Sequence, residues 1–209
     1  MIIRIMILTI LITIIMPVPC LAEAPMDDPA LPYRVYLPNI RFTLDSAEPK
    51  PPRPWPHDVK AKDVVLHEDD LPEFTLDPSW SGSRGIPDWM KQLGAVDKYA
   101  VWYWNDDQTA QPRTVYNITV VFMNPDGASQ YMQYIVGQCQ FLGGEIITAP
   151  VVGDQMIICA TDSPVGPGVI HNTTLRCSNI VSGVGVDSLL DTAMEFVRLS
   201  FARIERLTE

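Results

Sequence analysis

Basic residues, histidines and catalytic motifs are what this chain has least of. Lys and Arg number 15 against 25 Asp and Glu, giving a formal net charge of −10 and a pI near 4.6. Such an acidic chain repels phosphate backbones and anionic lipid surfaces, which argues against nucleic acid as a partner. The three histidines, His57, His67 and His171, are far apart and make no metal-ligand pair at helical spacing. No serine sits in a G-x-S-x-G turn, and Ser81-Gly82-Ser83 does not fit that pattern. No glycine-rich loop leads to a lysine that would cradle a phosphate, because Gly183 and Gly185 lie late in a strand-like run with no lysine following. His67-Glu68-Asp69-Asp70 offers oxygen ligands but lacks the spacing and turn glycine of a calcium loop, so it reads as a solvated charged segment. No metal, cofactor or catalytic residue is therefore expected.

Long apolar runs are scarce too, and the one present is at the start. Ile5 to Met16 is interrupted only by two threonines, with Arg4 before it, Pro17 and Pro19 after it, and Ala22-Glu23-Ala24 closing the segment. Charged start, apolar middle and small-x-small end are the anatomy of a secretory signal peptide over residues 1–24. A retained membrane anchor is the first alternative, but Met1 to Met16 is shorter than the roughly 20 apolar residues of a spanning helix, and extension to Leu21 crosses both prolines. Lipidation at Cys20 is the second, and Pro17-Val18-Pro19 is unsuited to that processing. The expected location is extracytoplasmic, secreted or cell-surface associated. Membrane contact is expected only through this segment if it stays uncleaved.

Proline is concentrated rather than lacking. Nine of the 19 prolines fall in residues 25–62, where a fixed φ and a missing N–H disfavour helix and central strand. The expectation is an extended, polyproline-like spacer. Within it Tyr33 to Arg41 alternates apolar and polar residues and could add as an edge strand to a sheet. The folded domain is placed at residues 63–209.

That domain reads as strands at Lys98–Asn105, Val115–Met123, Glu145–Ala149, Gln155–Thr161 and Thr173–Val186. A short helix over Pro87–Leu93 precedes them. In the second strand Tyr116, Ile118, Val120 and Phe122 are assigned to the core, and Asn117 and Thr119 to the opposite face. A mid-chain helix follows Asn124 or Asp126 as cap, with Ala128, Tyr131, Met132, Ile135, Cys139 and Leu142 on one stripe. Asp187 is read as the cap of a C-terminal helix to about Arg206, which buries Leu190, Ala193, Met194, Val197, Phe201 and Ile204. Hairpin-connected strands with two helices predict an α+β fold: an antiparallel β-sheet with a mid-chain and a C-terminal helix packed on it, preceded by the extended Pro-rich segment.

Cysteine is sparse: Cys139, Cys159 and Cys177 remain once Cys20 is removed with the signal. In an oxidising compartment one disulfide is expected. A hairpin symmetric about Gly168 pairs Cys159 with Cys177, worth about 3 kcal/mol on the chain-entropy model. Cys139 reads as a buried core cysteine, with Cys139–Cys177 as the alternative bridge.

Tryptophan is crowded into one stretch: Trp80, Trp89, Trp102 and Trp104. Trp102 and Trp104 share one face of their strand, and Val101 and Tyr103 take the other. One account makes one face core and puts the other under the Trp80 loop. The functional account is an aromatic platform of Trp80, Trp102 and Trp104 for a sugar ring, peptide or apolar ligand, with Asn105 and Asp106 supplying hydrogen bonds.

Leu71-Pro72-x-Phe74, the strand at Val115–Met123, Val152-Gly153-Asp154 and the order of elements resemble a group of secreted bacterial α+β domains. In outline the chain is also similar to PsbP-like proteins and to extracellular sensor domains of bacterial Ser/Thr kinases. Val35-Tyr36-Leu37-Pro38 resembles a segment near the ends of many secreted bacterial proteins. The resemblance spans roughly Leu71 to the C-terminus and implies a binding or accessory domain. It carries over no functional residue set. The expected function is thus a non-catalytic extracytoplasmic binding module whose partner is a small molecule, a glycan or an envelope protein. The rivals are a hydrolase-type enzyme with dispersed residues and a structural cell-envelope protein.

Overall fold

The structure is a computed structural model that describes residues 58–107, 109–162 and 168–208. The proposed signal, and the spacer up to residue 57, lie outside the described residues.

An eight-stranded antiparallel sheet organises the domain, confirming the α+β expectation. Its strands are β1 (Thr75–Leu76), β2 (Gly82–Ser83), β3 (Ala95–Trp104), β4 (Thr114–Phe122), β5 (Glu145–Ile147), β6 (Gln155–Asp162), β7 (Val169–Cys177) and β8 (Ile180–Val186). They run in the order β1-β3-β4-β8-β7-β6-β5, with β2 also paired to β3. The helices are α1 (Ala61–Val64), α2 (Asp88–Gln92), α3 (Pro125–Phe141) and α4 (Leu190–Thr208). α3 starts where expected: Pro125 occupies its first turn, and Asn124 Oδ1 accepts from Gly127 N at 2.9 Å.

Helices cover both faces of the sheet. α1 and α4 pack on one face, where Ala61, Val64, Ala193, Val197 and Ile204 meet Val101, Tyr103, Val115, Leu175, Val184 and Val186. α2 and α3 pack on the other, where Met90, Ala128, Tyr131 and Met132 meet Ala95, Val120, Phe122, Ile157 and Val181. β4 is therefore buried on both sides: Val120 and Phe122 face α3, and the opposite face, which carries Asn117 and Thr119 as expected, is core as well. Both are fully buried because their polar atoms are matched. Asn117 Oδ1 accepts from Leu66 N at 2.8 Å, while Asn117 Nδ2 donates to Ser182 Oγ and Gly183 O, each at 2.9 Å. Thr119 Oγ1 donates to Ser182 Oγ at 3.2 Å, and Ser182 Oγ lies 2.8 Å from Ser200 Oγ on α4.

Three expectations change. The run Thr173–Val186, read as one strand, is the hairpin of β7 and β8. It turns at Ser178-Asn179, with Ser178 at φ 54° and Cys177 opposite Ile180. The turn is held from outside: Ser178 N donates to Asp154 Oδ2 at 2.6 Å, and Asn179 Nδ2 to Phe122 O at 2.7 Å. Asp187 does not cap α4; its Oδ1 accepts from Arg113 N and Thr114 N, each at 3.0 Å, tying the start of β4 to the end of β8. Finally, the disulfide joins Cys139 to Cys159, not Cys159 to Cys177. The register places Asn172 opposite Cys159, so Cys177 lies five positions further along β7. Its side chain also points to the α4 face, while Ile157, two before Cys159, points to the α3 face. Gly144, just past α3, admits the bridge: a Cβ there would stand 2.8 Å from Cys159 Sγ and 2.9 Å from Cys139 Sγ.

Candidate functional site

Strand alternation sets the two faces of β3. Val101 and Tyr103 enter the α4-side core, whereas Lys98, Ala100, Trp102 and Trp104 line the α3 side. Trp102 lies directly opposite Tyr116 on β4, and the two rings stack with centroids 5.5 Å apart and planes 11° apart. Tyr116 lies across Gly185 of β8, and its hydroxyl donates to Asn172 Oδ1 on β7. Only glycine fits beneath the ring: a Cβ at position 185 would fall 1.9 Å from Tyr116 Cε1. Trp102, Tyr116 and Gly185 thus form a flat aromatic floor across three strands. Asn172 Nδ2 and Thr161 Oγ1 are buried without a hydrogen-bond partner among the described residues.

A second aromatic group covers the same face nearer α2. Trp89 stacks on Tyr131 at 5.9 Å and meets Tyr134 at 4.4 Å, and Tyr131 meets Phe122 at 5.6 Å. Burial pushes the phenols of Tyr116 and Tyr131 well above the ordinary range, with a neighbouring tyrosine adding to each shift. Both phenols stay protonated at neutral pH; Tyr116 donates to Asn172 and Tyr131 serves as a stacking surface.

The structure separates the predicted site residues into three places. Trp102 and Trp104 share the α3-side face of β3, both half-buried. Trp80 stands in the segment before β2, where the Arg84 guanidinium lies 5.7 Å from its ring centroid. That segment borders β3, since Trp102 N donates to Ser81 Oγ at 3.0 Å. Asn105 and Asp106 lie beyond β3 and bond within the adjoining segments. Asn105 N donates to Arg113 O at 2.8 Å, and Asn105 Oδ1 accepts from Asp107 N at 2.9 Å. The exposed Asp106 accepts from Thr75 Oγ1 at 3.3 Å.

Sequence reasoning missed Tyr116 as a partner of Trp102, and with it Gly185, Asn172 and Lys98. The first three need the register of β4, β8 and β7, which no local pattern carries. Lys98 was within reach, since alternation from Trp102 places it on the same face. It is only 5% exposed. Burial holds its pKa below the usual lysine value, and the nearby Arg84 charge lowers it further.

The fold and this face define a class, an α+β domain with helices on both sides of an antiparallel sheet and an aromatic surface on one of them. No family model and no curated protein matches the chain. Among solved structures it is similar to the extracellular domain of PknH from Mycobacterium tuberculosis, with a TM-score of 0.51 and 11% identity. The match covers 70% of this chain and 95% of that one, and it establishes a shared fold. Among the described residues no helix is long and apolar enough to cross a membrane.

Proposed function

We propose that this domain is an extracytoplasmic binding module without catalytic activity, taking a small molecule or glycan on the α3-side aromatic face. The observation that carries the proposal is the stack of Trp102 on Tyr116 beside buried, unpartnered polar atoms of Asn172 and Thr161. Flat apolar surface with a few convergent polar groups is the chemistry of ligand recognition. The likeness in fold to an extracellular domain supports the location, as does the signal-like start of the sequence.

A thermal-shift screen of soluble glycans and small apolar molecules tests this. Hits should raise the melting temperature of the wild type and lose at least about tenfold in affinity, or roughly 1.4 kcal/mol, in Trp102→Ala. A screen without hits, with Trp102→Ala melting as wild type, would remove the proposal.

A further inference from the structure

Lys98 sits badly for a purely structural residue. It is 5% exposed on the apolar α3-side face of β3, opposite Val120. Among the described residues no carboxylate or carbonyl pairs with its ammonium, which is not one of the fully buried unpartnered groups: the stem is buried and the charged head reaches the edge of the face. Neighbouring carboxylates are engaged elsewhere. Asp97 accepts from Ala61 N and Lys98 N, both at 2.8 Å; Asp77 accepts from Ser79 N at 2.9 Å; Asp88 pairs with Lys91 at 2.8 Å. The charge beside Lys98 is instead another cation, Arg84, whose backbone N donates to Lys98 O at 3.4 Å and whose guanidinium rests over Trp80. Among the described residues neither cation pairs with a carboxylate, and Arg84 Nη2 donates to Ser79 O at 3.3 Å, so the two form a local positive site in a chain of net charge −10.

We propose that Lys98 and Arg84 are an anion subsite that receives the oxyanion group of a small ligand whose apolar body lies against Trp102, the half-exposed ring of the stacked pair. This rests on the reading of the aromatic face as the ligand surface. Lys98 and Trp102 lie four residues apart along one face, about 13 Å by the strand rise. Only Ala100, the smallest side chain of that row, stands between them. A planar ligand with one carboxylate, sulfonate or phosphate spans such a distance. Trp80 then flanks the anion through Arg84 rather than forming part of the stacking floor.

The test uses the intact chain and two fluorescent probes of one ring system: 8-anilinonaphthalene-1-sulfonate and its neutral counterpart N-phenyl-1-naphthylamine. The sulfonate should bind the wild type at least about tenfold tighter than the neutral probe, and inorganic phosphate should displace it. Lys98→Met should abolish that advantage, leave the neutral probe unchanged and raise the melting temperature, because a partly desolvated charge has gone. Arg84→Gln should remove part of the advantage and stands alone as the test if Lys98→Met does not fold. Trp102→Ala should weaken both probes. Equal affinity of the two probes for the wild type, or an unchanged preference in Lys98→Met, overturns the anion subsite while a loss of both probes in Trp102→Ala keeps the aromatic face. If Trp102→Ala spares both probes, the face is not the ligand surface and the subsite falls with it.

Discussion

A single missing Cβ decides the shape of the aromatic floor. Gly185 lets the Tyr116 ring lie flat over β8, within reach of both Trp102 and Asn172. In Gly185→Ala the ring has to move, because the new methyl would overlap it, and the Trp102 stack and the Asn172 hydrogen bond are lost together. The expected cost is about 1–3 kcal/mol of stability, read by chemical denaturation, with a changed tryptophan fluorescence as the local sign. A fluorescence spectrum and midpoint like those of the wild type would show that the ring does not depend on this glycine. Alternation alone placed Trp102 and Trp104 on one face and Val101 and Tyr103 on the other. It also placed Asn117 and Thr119 on the face opposite Val120 and Phe122, but not that this face is core too, because polar residues are buried only where partners offset the cost. Those partners, Leu66 N, Ser182 and Ser200, come from distant parts of the chain. Asn117→Leu keeps the branch at Cγ and the number of side-chain heavy atoms but leaves Leu66 N without its acceptor, so a loss of about 1–3 kcal/mol is expected. A thermal melt that matches the wild type would show that the network is dispensable.

At the level of elements, the long amphipathic helices and the aromatic and β-branched strands were readable, because each carries its period within ten to twenty residues of sequence. Turns and bridges were not. The β7–β8 hairpin turns on Ser178-Asn179, without the Asn-Gly pair that marks the favoured two-residue turn, and is stabilised by Asp154 and Phe122 from other elements. The disulfide was misassigned for a related reason: its choice depends on register and on which face a side chain takes. Cys139 on α3 and Cys159 on β6 have Cα atoms 5.8 Å apart, a separation suited to a bridge. Closing this loop fastens the C-terminal end of α3 to the sheet and should contribute about 3 kcal/mol on the chain-entropy model. Cys139→Ser should therefore lower stability by about that amount, and Cys177→Ser should leave the bridge intact. Non-reducing peptide mapping should find Cys139 linked to Cys159; a peptide containing Cys159 linked to Cys177 would contradict the structure.

At the scale of the whole domain, the described fold reaches back into the segment read as spacer. Val59 packs against the core and Ala61 is fully buried within it. The chain from Ala61 to Leu71 acts as a strap over the α4-side face. Its polar ties are Ala61 N to Asp97, Leu66 N to Asn117, Tyr103 hydroxyl to Leu66 O at 3.0 Å, and Asp70 with Arg203. Burial, then the charges of Glu68 and Asp70, push the Tyr103 phenol up to about 12 from its ordinary 10.0. The folded state therefore keeps a proton that the unfolded state releases between those values. This contribution is complete below pH 10 and is lost as the pH climbs through 12. Tyr103→Phe should flatten that alkaline decline in urea-melt midpoints.

The strap also predicts where the domain can be cut. Val64, Val65, Leu66 and Leu71 are each at most 2% exposed, and burying such side chains is worth about 1.5–3 kcal/mol apiece. Their joint removal costs on the order of 6–12 kcal/mol, similar to the roughly 5–15 kcal/mol that holds a domain together. The same deletion strips Asn117, Tyr103 and Arg203 of buried partners, which adds to the loss. A chain beginning at Asp58 keeps every one of these contacts and should melt cooperatively. A chain beginning at Pro72 should show no cooperative melt by circular dichroism. If the shorter chain folds with similar stability, the strap is an appendage, and the α4-side face must be closed by the sheet and α4 alone.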